Sequence, residues 1–204
     1  LNQSFEKYEI IVSDNSNNDL TKQLINRLND PKIKYCKPER ELAMTENFNF
    51  AISHATGEYV MVLGSDDGLL FHALNTLDTL LDSFQAKLMN WNLLAYGWPD
   101  VMLDGYQNHF GIPSVVAGKI GHQYRDGREI IHAVSQFQVS YSVLPMLYCN
   151  SVVHRDVLAE LMKKTGGIYK SLSPDIYSGI VLAYLQRKYV FIDIPISIGG
   201  SSGN

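Results

Sequence analysis

Apolar positions along this chain come in two periods, and they alternate. Tyr8-Glu9-Ile10-Ile11-Val12-Ser13 is short, β-branched and apolar, and the polar cluster Asp14-Asn15-Ser16-Asn17-Asn18-Asp19 follows it. That combination predicts a strand running into a turn. Leu20, Leu24, Ile25 and Leu28 then recur at the spacing of one helical face. Asp30-Pro31 ends that helix, because proline pushes the preceding residue out of the α region. Ile33 to Cys36 reads as a second short strand. Met44, Phe48, Ala51, Ile52 and Ala55 mark a second amphipathic helix, with Thr45 near its start as N-cap. The run from Gly57 to Leu63, apolar and bounded by glycines, reads as a buried strand. Strand, helix, strand, helix, strand predicts an α/β fold with a mostly parallel sheet flanked by helices.

Leu70, Ala73, Leu74, Leu77, Leu80, Leu81 and Phe84 hold one helical face for four turns, a core-packing pattern. Leu88 to Leu94 reads as another strand. From Tyr96 to Tyr124 glycine, proline, tyrosine and histidine replace the periodic residues, which predicts a long loop with short antiparallel strands. Met146 to Val153 is a strand candidate, and Asp156 to Lys164 a helix closed by Gly166-Gly167. Ser173-Pro174-Asp175 opens a last helix carrying Ile176, Ile180, Ala183 and Tyr184. Trp91 and Trp98 are each readable as core or as sugar-stacking rings.

Composition narrows the function classes. At 204 residues the chain is one domain, and its 46% hydrophobic and 19% charged residues are an ordinary globular mixture. A net charge of −4 argues against nucleic acid as the main partner, since phosphate binding needs clustered Lys and Arg. No apolar run reaches the length of a membrane-spanning helix. Cys36 and Cys149 form no metal motif or disulfide framework, so they read as small core residues. The histidines show no zinc spacing. Gly199 to Gly203 has the letters of a nucleophile elbow without a following helix, and Gly118-Lys119-Ile120 lacks the rest of a P-loop.

Chemistry concentrates on carboxylates. In parallel α/β sheets ligands bind beyond the carboxyl ends of the strands. Asp14 and the Asp66-Asp67 pair both fall at such ends. Two adjacent carboxylates repel unless a cation sits between them, and Mg²⁺ or Mn²⁺, which also bridge a diphosphate, suit oxygen ligands. The same residues, with Gly68, also read as a solvated turn. Asp175 reads as a charge at a helix start, stabilised by the macrodipole.

The stretches Glu9 to Ser16, Ala55 to Tyr59 and Ser65-Asp66-Asp67-Gly68, in this order, resemble the inverting family 2 glycosyltransferases of GT-A fold. The likeness is good as far as the helix ending near Phe84 and looser beyond it. It implies a nucleotide-sugar-binding half over residues 1–95 and an acceptor-binding, catalytic half over 96–204 of the same domain. It also implies that Asp14 binds the donor's base, that Asp66 lies near the ribose, and that Asp67, with Asp66, holds the metal. Asp175 takes the place of the family's general base, against the plain capping reading above. The donor is expected to be UDP-linked, with dTDP and GDP open. The acceptor is a saccharide, lipid-linked or protein-linked hydroxyl. The expected location is the cytoplasm, with peripheral association at the inner face of a membrane.

The chain departs from the family in three places. Gly64 stands where many members carry an acidic residue. Thr45-Glu46-Asn47 replaces an Ala-Arg-Asn, leaving Lys37 or Arg40 as the nearest basic groups. Leu1 to Phe5 resembles the end of the family's first helix, so the first strand and its donor-binding turn are expected to be missing. Two other classes stay open: a nucleotidyltransferase making a nucleotide sugar, which needs a Gly-rich basic loop, and a non-catalytic sugar-binding domain, which does not need Asp66-Asp67.

Overall fold

The computed structural model describes residues 1–112 and 121–203. The Gly118-Lys119-Ile120 tripeptide, and part of the predicted loop up to Tyr124, lie outside the described residues. Strand β1 (Ile10–Ser13), helix α1 (Leu20–Leu28), β2 (Ile33–Cys36) and α2 (Met44–Ser53) follow the predicted alternation. Strands β3 (Tyr59–Val60) and β4 (Gly68–Leu69) precede α3 (Ala73–Phe84). Then come β5 (Leu88–Trp91), β6 (Leu94–Gly97), β7 (Phe110–Gly111), β8 (His122–Asp126), α4 (Gly127–Ser135) and a 3₁₀ turn at Tyr141–Val143. The chain closes with β9 (Ser151–His154), α5 (Arg155–Thr165), α6 (Pro174–Leu185), β10 (Lys188–Ile192) and β11 (Ser197–Ser201).

The fold is α/β, but its sheets are mixed and not mostly parallel. β1 and β2 form a parallel pair; five strands run β3-β9-β5-β10-β8 and four run β4-β11-β6-β7. β5 and β10 are parallel, yet β9 lies antiparallel between β3 and β5, and β8 runs antiparallel along β10. Local patterning could not reveal this, because β9 and β8 pair with strands far away in sequence and connections that long allow either direction.

Alternation along the central strands explains why they are apolar throughout. Leu88, Val153 and Tyr189 join one buried cluster, with Leu144, Leu147, Leu161, Tyr169 and Leu182. Their neighbours Met89, Trp91, Val152, Val190 and Ile192 join the other, against Ala73, Leu77 and Leu81 of α3. Successive side chains point to opposite faces of a sheet, so strands covered on both faces read as continuous apolar runs. Both clusters draw on residues before and after position 96, so the two predicted halves share one core.

Several expected boundaries move. The Gly57–Leu63 run is laddered only at Tyr59 and Val60; beyond them it is held by a bond from the Cys149 amide to the Val62 carbonyl. The helix expected from Leu70 starts at Ala73, because Gly68 and Leu69 pair with β11. The strand expected from Met146 starts at Ser151, after a tight turn with Cys149 at φ 61°. α2 is capped at Ala43, whose amide donates to Glu46 Oε2 (3.2 Å), and Thr45 instead donates to the Ser171 carbonyl. α1 leaves Leu20, Leu24 and Leu28 exposed, so its apolar stripe does not reach either core cluster.

Candidate functional site: an acidic turn clamped by the last strand

Asp14 follows β1 and is buried. Its Oδ1 accepts from the Ser16 amide (3.0 Å) and hydroxyl (2.7 Å), its Oδ2 accepts from the Tyr35 hydroxyl (2.7 Å), and Lys37 Nζ lies 3.6 Å away. Burial raises the carboxyl's pKa, but these hydrogen bonds and the lysine outweigh it and hold it at about 2. Lys37 is therefore the basic group beside Asp14. Arg40 is turned away into a pair with Glu46 (3.1 Å).

Asp66 and Asp67 sit on a turn that begins at Gly64. The Gly64 amide donates to Asp67 Oδ2 (2.7 Å), as expected of a carboxylate-closed turn. The remaining bonds come from the residue after β6 and from the last strand and the residue after it. The Gly200 amide donates to Asp67 Oδ1 (2.9 Å), the Ser202 hydroxyl to Asp66 Oδ2 (2.9 Å), and the Trp98 indole to the Asp66 carbonyl (2.9 Å). β11, parallel to β6 and antiparallel to β4, brings these donors in. The Gly199–Gly203 segment is thus a wall of the acidic site.

Asp66 Oδ1 and Asp67 Oδ2 each lie 3.0 Å from the point a β-carbon on residue 64 would occupy, and the Tyr148 hydroxyl lies closer still. Gly64 is the only residue type that leaves this space to the tyrosine. Burial, followed by the charges of Asp67 and Asp66, pushes the Tyr148 hydroxyl's pKa up, so it stays a protonated donor beside the pair. Burial pushes the Cys149 thiol up to about 12, with Asp67 adding to it.

Asp175 stands half-buried at the start of α6, where Ser173 makes no side-chain cap. Burial, then the charge of Asp175, raises the pKa of the Tyr169 hydroxyl, and Tyr148 contributes further. The Phe48 ring joins these groups: it stacks on Tyr148 (centroids 5.9 Å, 12°) and meets Tyr169 edge-on (5.2 Å, 70°). An aromatic seam therefore runs from the acidic turn toward the start of α6.

Among the described residues no three His, Cys, Asp or Glu side chains gather as a full metal shell. An adjacent pair of carboxylates nevertheless suits Mg²⁺ or Mn²⁺, which keep waters and substrate oxygens and need only one or two carboxylates from the protein. Asp67 spends one lone pair of each oxygen on a backbone amide, whereas Asp66 gives one oxygen to the Ser202 hydroxyl.

Residues 1–87 match the family model described as glycosyl transferase family 2. That match covers less than half of the chain. Over 79 residues it is 40% identical to GalNAc(5)-diNAcBac-PP-undecaprenol beta-1,3-glucosyltransferase of Campylobacter jejuni, covering 37% of this chain and 26% of that protein. Over 79 residues it is 39% identical to abequosyltransferase RfbV of Salmonella typhimurium, covering 37% and 23%. The chain thus spans about a quarter of the curated relatives' length. In fold it matches S. aureus TarS 1-349, crystallised with UDP-GlcNAc, at TM-score 0.66 and 14% identity over 100% of this chain and 53% of that one. The likeness to a GT-A fold therefore extends past the residues that match the family model.

Sequence reasoning named Asp14, Asp66, Asp67 and Asp175 but missed Tyr148, Gly200 and Ser202. Tyr148 carried no signal, since an isolated tyrosine before a strand is unremarkable. The Gly-Gly-Ser-Ser run did carry one: its small residues permit close backbone approach.

Proposed function

We propose that the protein transfers a sugar from a nucleoside-diphosphate sugar, UDP-linked, to an acceptor hydroxyl with inversion at the anomeric carbon. The observation that carries this reading is that Asp66 and Asp67 stand side by side on the turn from Gly64, in a chain whose residues 1–87 match the family 2 model. Asp14, with Lys37 beside it, would recognise the base, a base N–H sharing the carboxylate's remaining lone pairs. Asp66 and Asp67 would hold Mg²⁺ or Mn²⁺. That ion supplies Lewis-acid stabilisation of the leaving diphosphate. Asp175 would accept the acceptor's proton as the new bond forms, so the displacement needs no enzyme nucleophile.

The named relatives guide the acceptor class. One of them is a glucosyltransferase named for an undecaprenol-linked oligosaccharide, and a lipid-linked saccharide is the acceptor proposed here. Among the described residues no helix is long and apolar enough to cross a membrane. Peripheral docking at the cytoplasmic face would bring such an acceptor to the site. The test is calorimetry of UDP with and without Mn²⁺, followed by transfer from UDP-sugars to a lipid-linked saccharide. Tight, Mn²⁺-dependent UDP binding is expected; a chain that binds neither sinks the reading.

A further inference from the structure

A cleft of about 270 Å³ opens beside the acidic turn, lined by Ser65, Asp66, Trp98, Asp100 and Ser202. It is too small for a nucleotide, lying just under the ~300–1,000 Å³ of pockets that enclose drug-sized ligands. Its chemistry is one flat apolar face within a rim of two carboxylates and two hydroxyls.

Trp98 is 41% exposed, and an exposed indole is ordinarily mobile. This one is fastened. Its indole N–H donates to the Asp66 carbonyl (2.9 Å), and its amide to the Ser201 carbonyl (2.9 Å). The edge of Tyr96 stands against it at 5.1 Å and 83°. Gly200 makes the approach feasible, since a β-carbon there would overlap the Asp66 carbonyl and lie 2.9 Å from the indole nitrogen. The polar edge is thus satisfied within the protein while the ring is left facing solvent. A fixed aromatic surface left partly open to solvent forgoes apolar burial that a ligand could restore.

We propose that this cleft is a pyranose subsite, with Trp98 as the stacking platform and Asp66, Asp100 and Ser202 as hydrogen-bond partners for ring hydroxyls. A pyranose presents C–H groups on one face and hydroxyls around its rim, which is the complement of this arrangement. The acidic rim disfavours phosphates and other anions. Because the indole is bonded to the Asp66 backbone, the stacked ring has a fixed position relative to the acidic pair. The proposal rests on the reading of that pair as the donor site only for the source of the sugar. The ring belongs either to the donor or to the acceptor.

The chain has two tryptophans, so its spectrum of ¹⁵N-labelled indoles holds two signals, and Trp98→Phe assigns them. The probes are glucose, galactose and GlcNAc, their UDP conjugates, UDP alone and choline. The Trp98 signal is expected to move with a saccharide or UDP-sugar while that of Trp91, buried against Ser197, stays in place. Trp98→Ala should weaken UDP-sugar binding about tenfold more than it weakens UDP binding, a difference of ~1.4 kcal/mol, if the ring is the donor's. If it is the acceptor's, Trp98→Ala should raise the acceptor KM by a similar factor at constant donor KM. Trp98→Phe, which keeps a stacking face, should recover most of either loss and guards against misfolding of the alanine variant. A saccharide shift in a protein that does not bind UDP would support the subsite and defeat the donor-site reading instead. A signal that no saccharide or UDP-sugar moves, or that moves with choline alone, overturns the proposal.

Discussion

Gly64 and Tyr148 compete for one space: a β-carbon on residue 64 would overlap the tyrosine hydroxyl, which sits beside the Asp66 and Asp67 carboxylates. The two positions are far apart in sequence, yet the tyrosine hydroxyl limits what residue 64 can be. Gly64→Ala should destabilise the fold by about 1–3 kcal/mol through overpacking. In a Tyr148→Phe background, which removes the overlapping oxygen, the same substitution should cost clearly less. Urea unfolding of the four proteins gives the coupling; additive effects would mean that the ring simply moves aside.

Asp66→Asn and Asp67→Asn should part company. Asp67 accepts backbone amides from Gly64 and Gly200, and an amide group there turns one acceptor into a donor facing an N–H. Asp67→Asn should therefore lose about 1–3 kcal/mol of stability along with Mn²⁺-dependent UDP binding. Asp66 meets a rotatable hydroxyl, which can donate or accept. Asp66→Asn should keep the parent's unfolding midpoint and still lose the metal-dependent binding. Parent-like Mn²⁺ titrations in both variants would reduce the pair to a structural turn.

Asp14 ties acid stability to the nucleotide end of the fold. Its folded pKa is about 2 against an ordinary 3.8. A depressed carboxylate stabilises the fold above its unfolded value and loses that contribution as pH falls through the folded one. About 2 kcal/mol should thus disappear between roughly pH 4 and pH 2. Asp14→Asn should flatten that part of the stability–pH curve. Asp14→Ala should also weaken UDP binding by about 1.5–3 kcal/mol, which calorimetry can check.

Asp175 separates a helix-start charge from a base. Asp175→Asn should cost only about 0.3–1 kcal/mol of stability if the macrodipole is all that it serves. As the base, its loss should lower turnover by about 10²-fold or more with donor affinity intact. Transfer rates within threefold of the parent would return Asp175 to the helix and turn attention to Asp100, which lines the Trp98 cleft.

The order of strands and helices as far as Phe84, apart from β4, the placing of Asp14 after its strand and the acidic pair after its apolar run were all legible in the sequence. These depend on local periodicity and turn chemistry, which neighbouring residues carry between them. The helix starting at Pro174 was legible for the same reason. The mixed sheet was not, because β9 enters between β3 and β5 from a distant part of the chain and pairing across such a distance leaves no local pattern. Nor was the site's actual wall legible. Gly200 and Ser202 reach Asp67 and Asp66 across 133 and 136 positions, and Tyr148 reaches Gly64 only because the turn at Cys149 directs it there. The sequence by itself determined that Asp14 follows a strand and that Asp66 and Asp67 follow an apolar run, since that is a matter of short-range order. Only the tertiary structure decided what they face, because a buried oxygen's partners are set by whichever backbone can approach closely enough.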